Sequence, residues 1–167
     1  TEARAARQVA WAGTNEDAKA AALEREFEAS MQAIMAAAIC LDAFYAVLQQ
    51  HVVLTPKLLE HCRTGRTPRF SQIAEVIRLA FHLKKNGTAN LRAMLKEIYR
   101  VRGLAVHPPG KIEAPIYHSE LDVNVEWRFA YFTATNAEQI VNAATWILWD
   151  LCHGGKPSDA KILDYSS

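Results

Sequence analysis

Near the middle of the 167-residue chain, Arg102 and His107 stand out in the run Arg102-Gly103-Leu104-Ala105-Val106-His107. Arg offers a planar, permanently charged fork that holds an oxyanion. His exchanges a proton near neutral pH. On a helical wheel started at Leu91 and turned about 100° per residue, Met94, Leu95 and Ile98 fall within roughly 60° of Leu91, and Arg102 at about 20°. A guanidinium on such an apolar stripe is costly unless it is paired or meets an anion. Arg100 falls on the opposite face, toward solvent.

Five residues apart on a continuous helix, Arg102 and His107 would point about 140° away from each other. They can converge only if the chain turns between them. Pro108 disfavours helical backbone at His107, and Gly103 tolerates a bend or a positive φ, so a turn is expected there. A second unusual side chain is Asp42. On its own helix it lies close to Met31, Met35 and Ala38, and a carboxylate among them needs a partner; Arg102 is the candidate. That pair either orients Arg102 or simply neutralises a buried charge. Tyr45 and Gly103 complete the supporting set.

These residues must be positioned by helices. Residues 2–11 can form a short helix that breaks at Gly13. Thr14-Asn15-Glu16-Asp17 reads as the capped, acidic start of another. From there to about Val53 nothing interrupts it. Phe27, Met31, Ile34, Ala38, Leu41, Tyr45, Leu48 and Val52 recur as a heptad seam. Such a helix would be about 55 Å long, so it must kink, project or pack on a partner chain. Thr55-Pro56 and Thr67-Pro68 each read as a cap followed by Pro at the first helical position. The first of these helices ends near Gly65. The second carries the stripe Phe70, Ile73, Ile77, Ala80 and Phe81 and closes at Asn86-Gly87. Thr88 opens the helix that carries Arg102.

After Pro108-Pro109-Gly110 the period changes to two: Leu121, Val123, Val125, Trp127, Phe129 and Tyr131 alternate with mostly polar residues. This predicts a strand, with 111–117 as antiparallel partner, a hairpin over about 111–133. Thr135 to Glu138 reads as a capping box that starts the last helix, which Gly154-Gly155 ends before a loose tail over 154–167. The predicted fold class is therefore mainly α: one helical domain over 1–167, its core about 15–152, with a long N-terminal helix and a small β-hairpin inserted before the last helix.

Half of the residues are hydrophobic and 22% are charged, the balance of an ordinary globular chain. No apolar run reaches the roughly 18 residues of a membrane span, and no basic n-region precedes an apolar segment as in a secretory signal. No membrane association is expected, and the cytoplasm is the expected location. Cys40, Cys62 and Cys152 are odd in number and widely spaced, so free thiols are expected rather than a disulfide framework or zinc site. No metal site and no cofactor motif is present. The net charge of +1 hides an asymmetry: residues 57–111 carry twelve Lys or Arg against three acids, a net +9. That is a candidate polyanion face, or equally a set of solvated helix surfaces. His118 reads as exposed on a strand edge, and Trp127, Trp146, Trp149 and Tyr131 as core or interface aromatics.

An Arg, four residues and a His, at the end of a helix in a helical domain, resembles the HEPN superfamily (higher eukaryotes and prokaryotes nucleotide-binding). Residues Ile39-Cys40-Leu41-Asp42-Ala43-Phe44-Tyr45 resemble its long helix pattern. The resemblance covers roughly 20–107 and 135–152. It implies a metal-independent endoribonuclease, often a toxin or defence protein, working as a homodimer whose subunits share one cleft. His107 would be the general base toward an RNA 2′-hydroxyl and Arg102 would stabilise the phosphate. Arg100, Lys96 and Arg92 would be further phosphate contacts. The implied partners are RNA and an antitoxin or other protein. The chain departs from the family's pattern at Gly103, where a polar residue is common. That favours the alternative: a catalytically inactive HEPN-like helical module that binds a protein partner or nucleotide. A third reading, with no family link, is a scaffold that dimerises through the heptad seam.

Overall fold

The computed structural model describes residues 2–65, 67–108, 110 and 113–165. The fold is mainly α-helical. Helix α1 (Glu2–Trp11) precedes the long helix α2 (Glu16–Leu48), which continues as a short 3-10 turn over Gln49–His51. Then come α3 (Pro56–Arg63), α4 (Arg69–Ala80) and α5 (Ala89–Val106). A two-stranded antiparallel hairpin of β1 (Ile116–His118) and β2 (Val123–Val125) leads to α6 (Trp127–Tyr131) and α7 (Ala134–Gly154). The chain divides into two compact units: Thr1–Ala36 with Val101–Val141, and Ala37–Arg100 with Asn142–Ser167.

Two helix starts have a local cause. Asn15 caps α2, its side-chain oxygen accepting the Ala18 N–H at 3.1 Å, and Glu16 and Asp17 oppose the positive end of the helix dipole. Thr55 caps α3 in the same way toward Leu58, with Pro56 at the first helical position. At α4, by contrast, Pro68 is itself the cap residue and no side chain closes the end.

Helix α2 is about 50 Å long for its 33 residues. Phe27, Ile34, Ala38, Leu41, Tyr45 and Leu48 of the seam are buried within the chain, so the seam is not left open for a second copy. The helix contains a stretch long and apolar enough to cross a membrane by length and composition alone, with mean hydropathy 1.8, contrary to the reading that no segment reaches that limit. The same composition serves a core helix, and Ile34, Leu41 and Leu48 are fully buried.

In the first unit, Phe27 meets Phe129 and Phe132 edge-to-face, at ring separations of 5.7 and 5.6 Å, and Trp127 packs on Tyr131 and Phe132. This cluster overturns the period-two reading. The strand stops at Val125, and residues 127–131 form a helical turn instead, which sets Trp127 and Tyr131 (i, i+4) side by side. The hairpin turns through Ser119–Asp122. The Leu121 and Asp122 amides both donate to the His118 carbonyl, and Asp122 takes a positive φ of 56°, a conformation Asp tolerates. Of the proposed hairpin, 111 and 112 lie outside the described residues.

In the second unit, Ile73, Ile77, Leu95, Ile98, Ile147 and Leu151 form the core, and Phe44 stacks on Phe81. Helix α4 ends at Ala80 rather than at Asn86-Gly87. Part of the segment after α7, over 158–162, is docked rather than loose. Ile162 is buried, the Ser158 amide donates to the Ala80 carbonyl, and Asp159 pairs with His51 at 2.9 Å. Trp127 is a core residue as expected; Trp146 and Trp149 are 56% and 61% exposed on α7. The three cysteines are free, with Cys40 exposed.

Candidate functional site

Arg102 and His107 lie on and just beyond the last turn of α5. The His107 amide donates to the Gly103 carbonyl at 2.8 Å, so the i→i−4 ladder runs through Gly103 without a break. Gly103 has no positive φ, and a Cβ built there would meet nothing within 4 Å. The expected turn at Gly103 is therefore absent, and helical geometry sets the two side chains about 140° apart. Arg102 is half-buried and His107 exposed. Neither side chain has a hydrogen-bond or ion-pair partner among the described residues.

Asp42 pairs with Arg69, not with Arg102. Arg69 Nε donates to its carboxylate at 2.7 Å, and the same guanidinium stacks on the Tyr45 ring at 4.1 Å. The reason lies in the start of α4: Arg69, its first residue, supplies the cation that the sequence pattern places on α5. Both partners are partly exposed, so the ion pair contributes little stability.

Arg92, Lys96 and Arg100, spaced four apart, form an exposed stripe on α5, at about 100°, 140° and 180° from Leu91 on the wheel, away from Arg102. Two of the three are engaged. Arg92 donates to the Ser71 hydroxyl at 2.9 Å, and Arg100 forks onto Glu97. That hydrogen bond, outweighing burial, holds the Glu97 carboxyl below its ordinary value.

A different cluster, not foreseen, lies in the first unit. Arg7 and Glu26 are each 1% exposed. Arg7 donates through Nε to Glu26 and through Nη2 to Glu120. The second Glu26 oxygen accepts the Ala134 amide at 3.0 Å, satisfying a free N–H at the start of α7. The cap of α7 is Thr133, whose hydroxyl accepts the Asn136 amide at 3.2 Å, not the proposed Thr135–Glu138 box. Thr135 instead donates to Glu120 at 2.7 Å, and Glu138 pairs with Arg4 at 2.9 Å. Arg4 also donates to Thr135.

His118, expected to be exposed, is 3% exposed, and neither ring nitrogen has a hydrogen-bond partner. Burial and then the charge of Arg7 push its pKa below the ordinary 6.5, against the opposing pull of Glu120 and Glu26. The imidazole is thus neutral at neutral pH. It lines a hollow of about 120 Å³ together with Ser119, Glu120, Thr133, Thr135 and Asn136.

One signal could have exposed this cluster. Glu26 lies between Ala22 and Ser30 on the buried flank of the seam, so its carboxylate needs a partner even more than that of Asp42. Among the described residues no group of three or more His, Cys, Asp or Glu could hold a metal ion. No family model matches the chain, nor does any curated protein or solved structure.

Proposed function

We propose that the chain is a HEPN-like, metal-independent endoribonuclease that acts as a homodimer, with Arg102 and His107 as its working residues. One observation carries this reading. Arg102 is a half-buried guanidinium with no protein partner among the described residues, and the unpaired, exposed His107 follows five residues later. A cation so placed is best satisfied by an anion from outside the chain.

In this reading Arg102 holds a phosphodiester oxygen of RNA. His107 removes the 2′-hydroxyl proton. The 2′-oxygen then bonds to phosphorus, and the bond from phosphorus to the 5′-oxygen breaks. That oxygen leaves with a proton, giving a 2′,3′-cyclic phosphate and a 5′-hydroxyl. Because α5 directs the two side chains to different faces, the reading takes its cleft to be shared between two copies, the Arg102 of one meeting the His107 of the other.

The test is incubation of the purified chain with single-stranded RNA in the presence of EDTA. Cleavage to cyclic-phosphate ends, lost in His107→Ala and reduced in Arg102→Ala, supports the proposal. A second reading is favoured by the unbroken ladder through Gly103: a HEPN-like module that binds nucleotide or protein without cleavage. It predicts RNA retention that depends on Arg102 but no product.

A further inference from the structure

Trp146 and Trp149 lie on the outer face of α7, 56% and 61% exposed. We propose that this face pairs with the same face of a second copy of the chain, the two α7 helices running antiparallel. The pairing uses neither Arg102 nor His107 and is independent of the ribonuclease reading.

Helix α7 carries an apolar stripe inward and an aromatic one outward. Ile140, Ala144, Ile147 and Leu151 face inward and are buried. On a wheel started at Asn142, the residues Trp146, Trp149 and His153 fall at about 40°, −20° and 20°, and all four are exposed. Their spacing of 4, 3 and 4 is that of a coiled-coil seam. The seam is braced before any partner arrives. The His153 ring stacks on the Trp149 ring with centroids 3.5 Å apart, and its Nδ1 donates to the Trp149 carbonyl at 3.0 Å. A ring held in this way loses little freedom on binding.

Charge decides the class of occupant. From Asn142 to His153 the helix has no Lys or Arg, and its one carboxylate is the exposed Asp150. Nucleic acid is held by cations beside aromatic platforms, so this face does not suit RNA. A nearly uncharged aromatic face suits protein, where tryptophan anchors interfaces. The face is also complementary to itself. In an antiparallel pair centred between Ile147 and Leu148, Trp146 meets Trp149 of the second copy, and Asn142 meets His153 of the second copy. With Nδ1 donating to the Trp149 carbonyl, His153 Nε2 is left to accept the Asn142 amide of the other copy. The area is also sufficient. At about 250 Å² per tryptophan, the two side chains together expose on the order of 300 Å². With the exposed Asn142, Thr145, Asp150 and His153 around them, two copies would bury about 1,000 Å², the lower bound of a specific interface. A dimer of that size dissociates in about the micromolar range.

The experiment is sedimentation of the whole chain over a range of concentrations. Wild type should pass from monomer to dimer in about the micromolar range. Trp146→Ala and Trp149→Ala should each weaken the dimer at least about 30-fold, the loss expected of an interface anchor. The register has its own test. Asn142→Lys alone and His153→Glu alone should weaken association, and the two together should restore it. The two positions are about 16 Å apart along one helix, so restoration arises only between copies. If a tryptophan variant loses its helical circular dichroism, this pair of substitutions decides. A chain that stays monomeric to about millimolar concentration would overturn the proposal. So would a dimer indifferent to both tryptophan changes, which would place the homodimer of the ribonuclease reading on another face. Loss of RNA retention in the tryptophan variants with association unchanged would also overturn it, in favour of a base-stacking face.

Discussion

Arg7 and Glu26 form an ion pair in which both side chains are fully buried. Through it, α1 is fastened to α2, and the other Glu26 oxygen fastens the start of α7 by the Ala134 amide. One carboxylate thus joins three helices of the first unit, and its removal would leave a buried guanidinium and a buried amide short of a partner.

The first prediction follows directly. Arg7→Leu or Glu26→Gln should destabilise the chain by about 3–5 kcal/mol, the cost of breaking a buried pair by removing one member. Urea unfolding followed by circular dichroism measures this. A change under about 1 kcal/mol, the range of exposed ion pairs, would show that α1 is not anchored by this pair.

The second concerns pH. His118 has its folded pKa below 6.5, so as the pH falls the unfolded chain takes up this proton first. Stability should therefore decline as the pH drops below about 6.5, until the folded state is protonated too. Glu120 is held below its ordinary 4.5, first by the Thr135 hydroxyl and also by Arg7, against burial. Its contribution is present above that value and is lost as the pH falls through the folded pKa. Unfolding free energies at a series of pH values should show the His118 slope in wild type and its loss in His118→Phe; an identical slope in both would remove His118 from the account.

The third concerns Gly103. It lies in a continuous helix with no positive φ, and the space that a Cβ would fill is open. Gly103→Ala should raise stability by up to about 1 kcal/mol. Thermal unfolding tests this, and a loss of stability would mean that the backbone bends at Gly103 after all.

A fourth concerns the docked tail. Ile162 is buried, and Asp159 bonds His51. Ile162→Ala should cost about 2–5 kcal/mol if the tail is part of the cooperative core. Amide exchange at Ser158, whose N–H meets the Ala80 carbonyl, gives a local readout; unchanged protection there would make the tail an independent element.

Much of this architecture is readable from local patterns. The seam from Phe27 to Leu48, the Asn15 and Thr55 starts and the glycine pair ending α7 are all encoded within a few residues of where they act. The failures share a different character. Residues 127–131 alternate like a strand, yet the aromatic rings gain more by closing around Phe27, far away in sequence. The ion pairs Asp42–Arg69 and Arg7–Glu26 depend on which helices meet, which spacing along a single helix does not reveal. His118 reads as exposed when the hairpin is taken as one long strand pair; in the short hairpin it is buried, next to the turn whose Glu120 bonds Arg7 of α1. For the candidate site, the wheel places Arg102 on its stripe correctly, but the expected turn rests on Gly103, a residue that permits bending without requiring it.

The proposed cleavage of RNA by Arg102 and His107 is tested most directly by one comparison. Wild type, His107→Ala and Arg102→Ala are incubated with the same single-stranded RNA in EDTA, and the ends are analysed for 2′,3′-cyclic phosphate. The ribonuclease account requires cyclic-phosphate product from wild type, its loss in His107→Ala with the fold intact, and a drop of about 10²-fold or more in each variant, the usual contribution of an acid–base or charge-stabilising group. Cleavage that persists unchanged in His107→Ala, or wild type that binds RNA and leaves it whole, would contradict it.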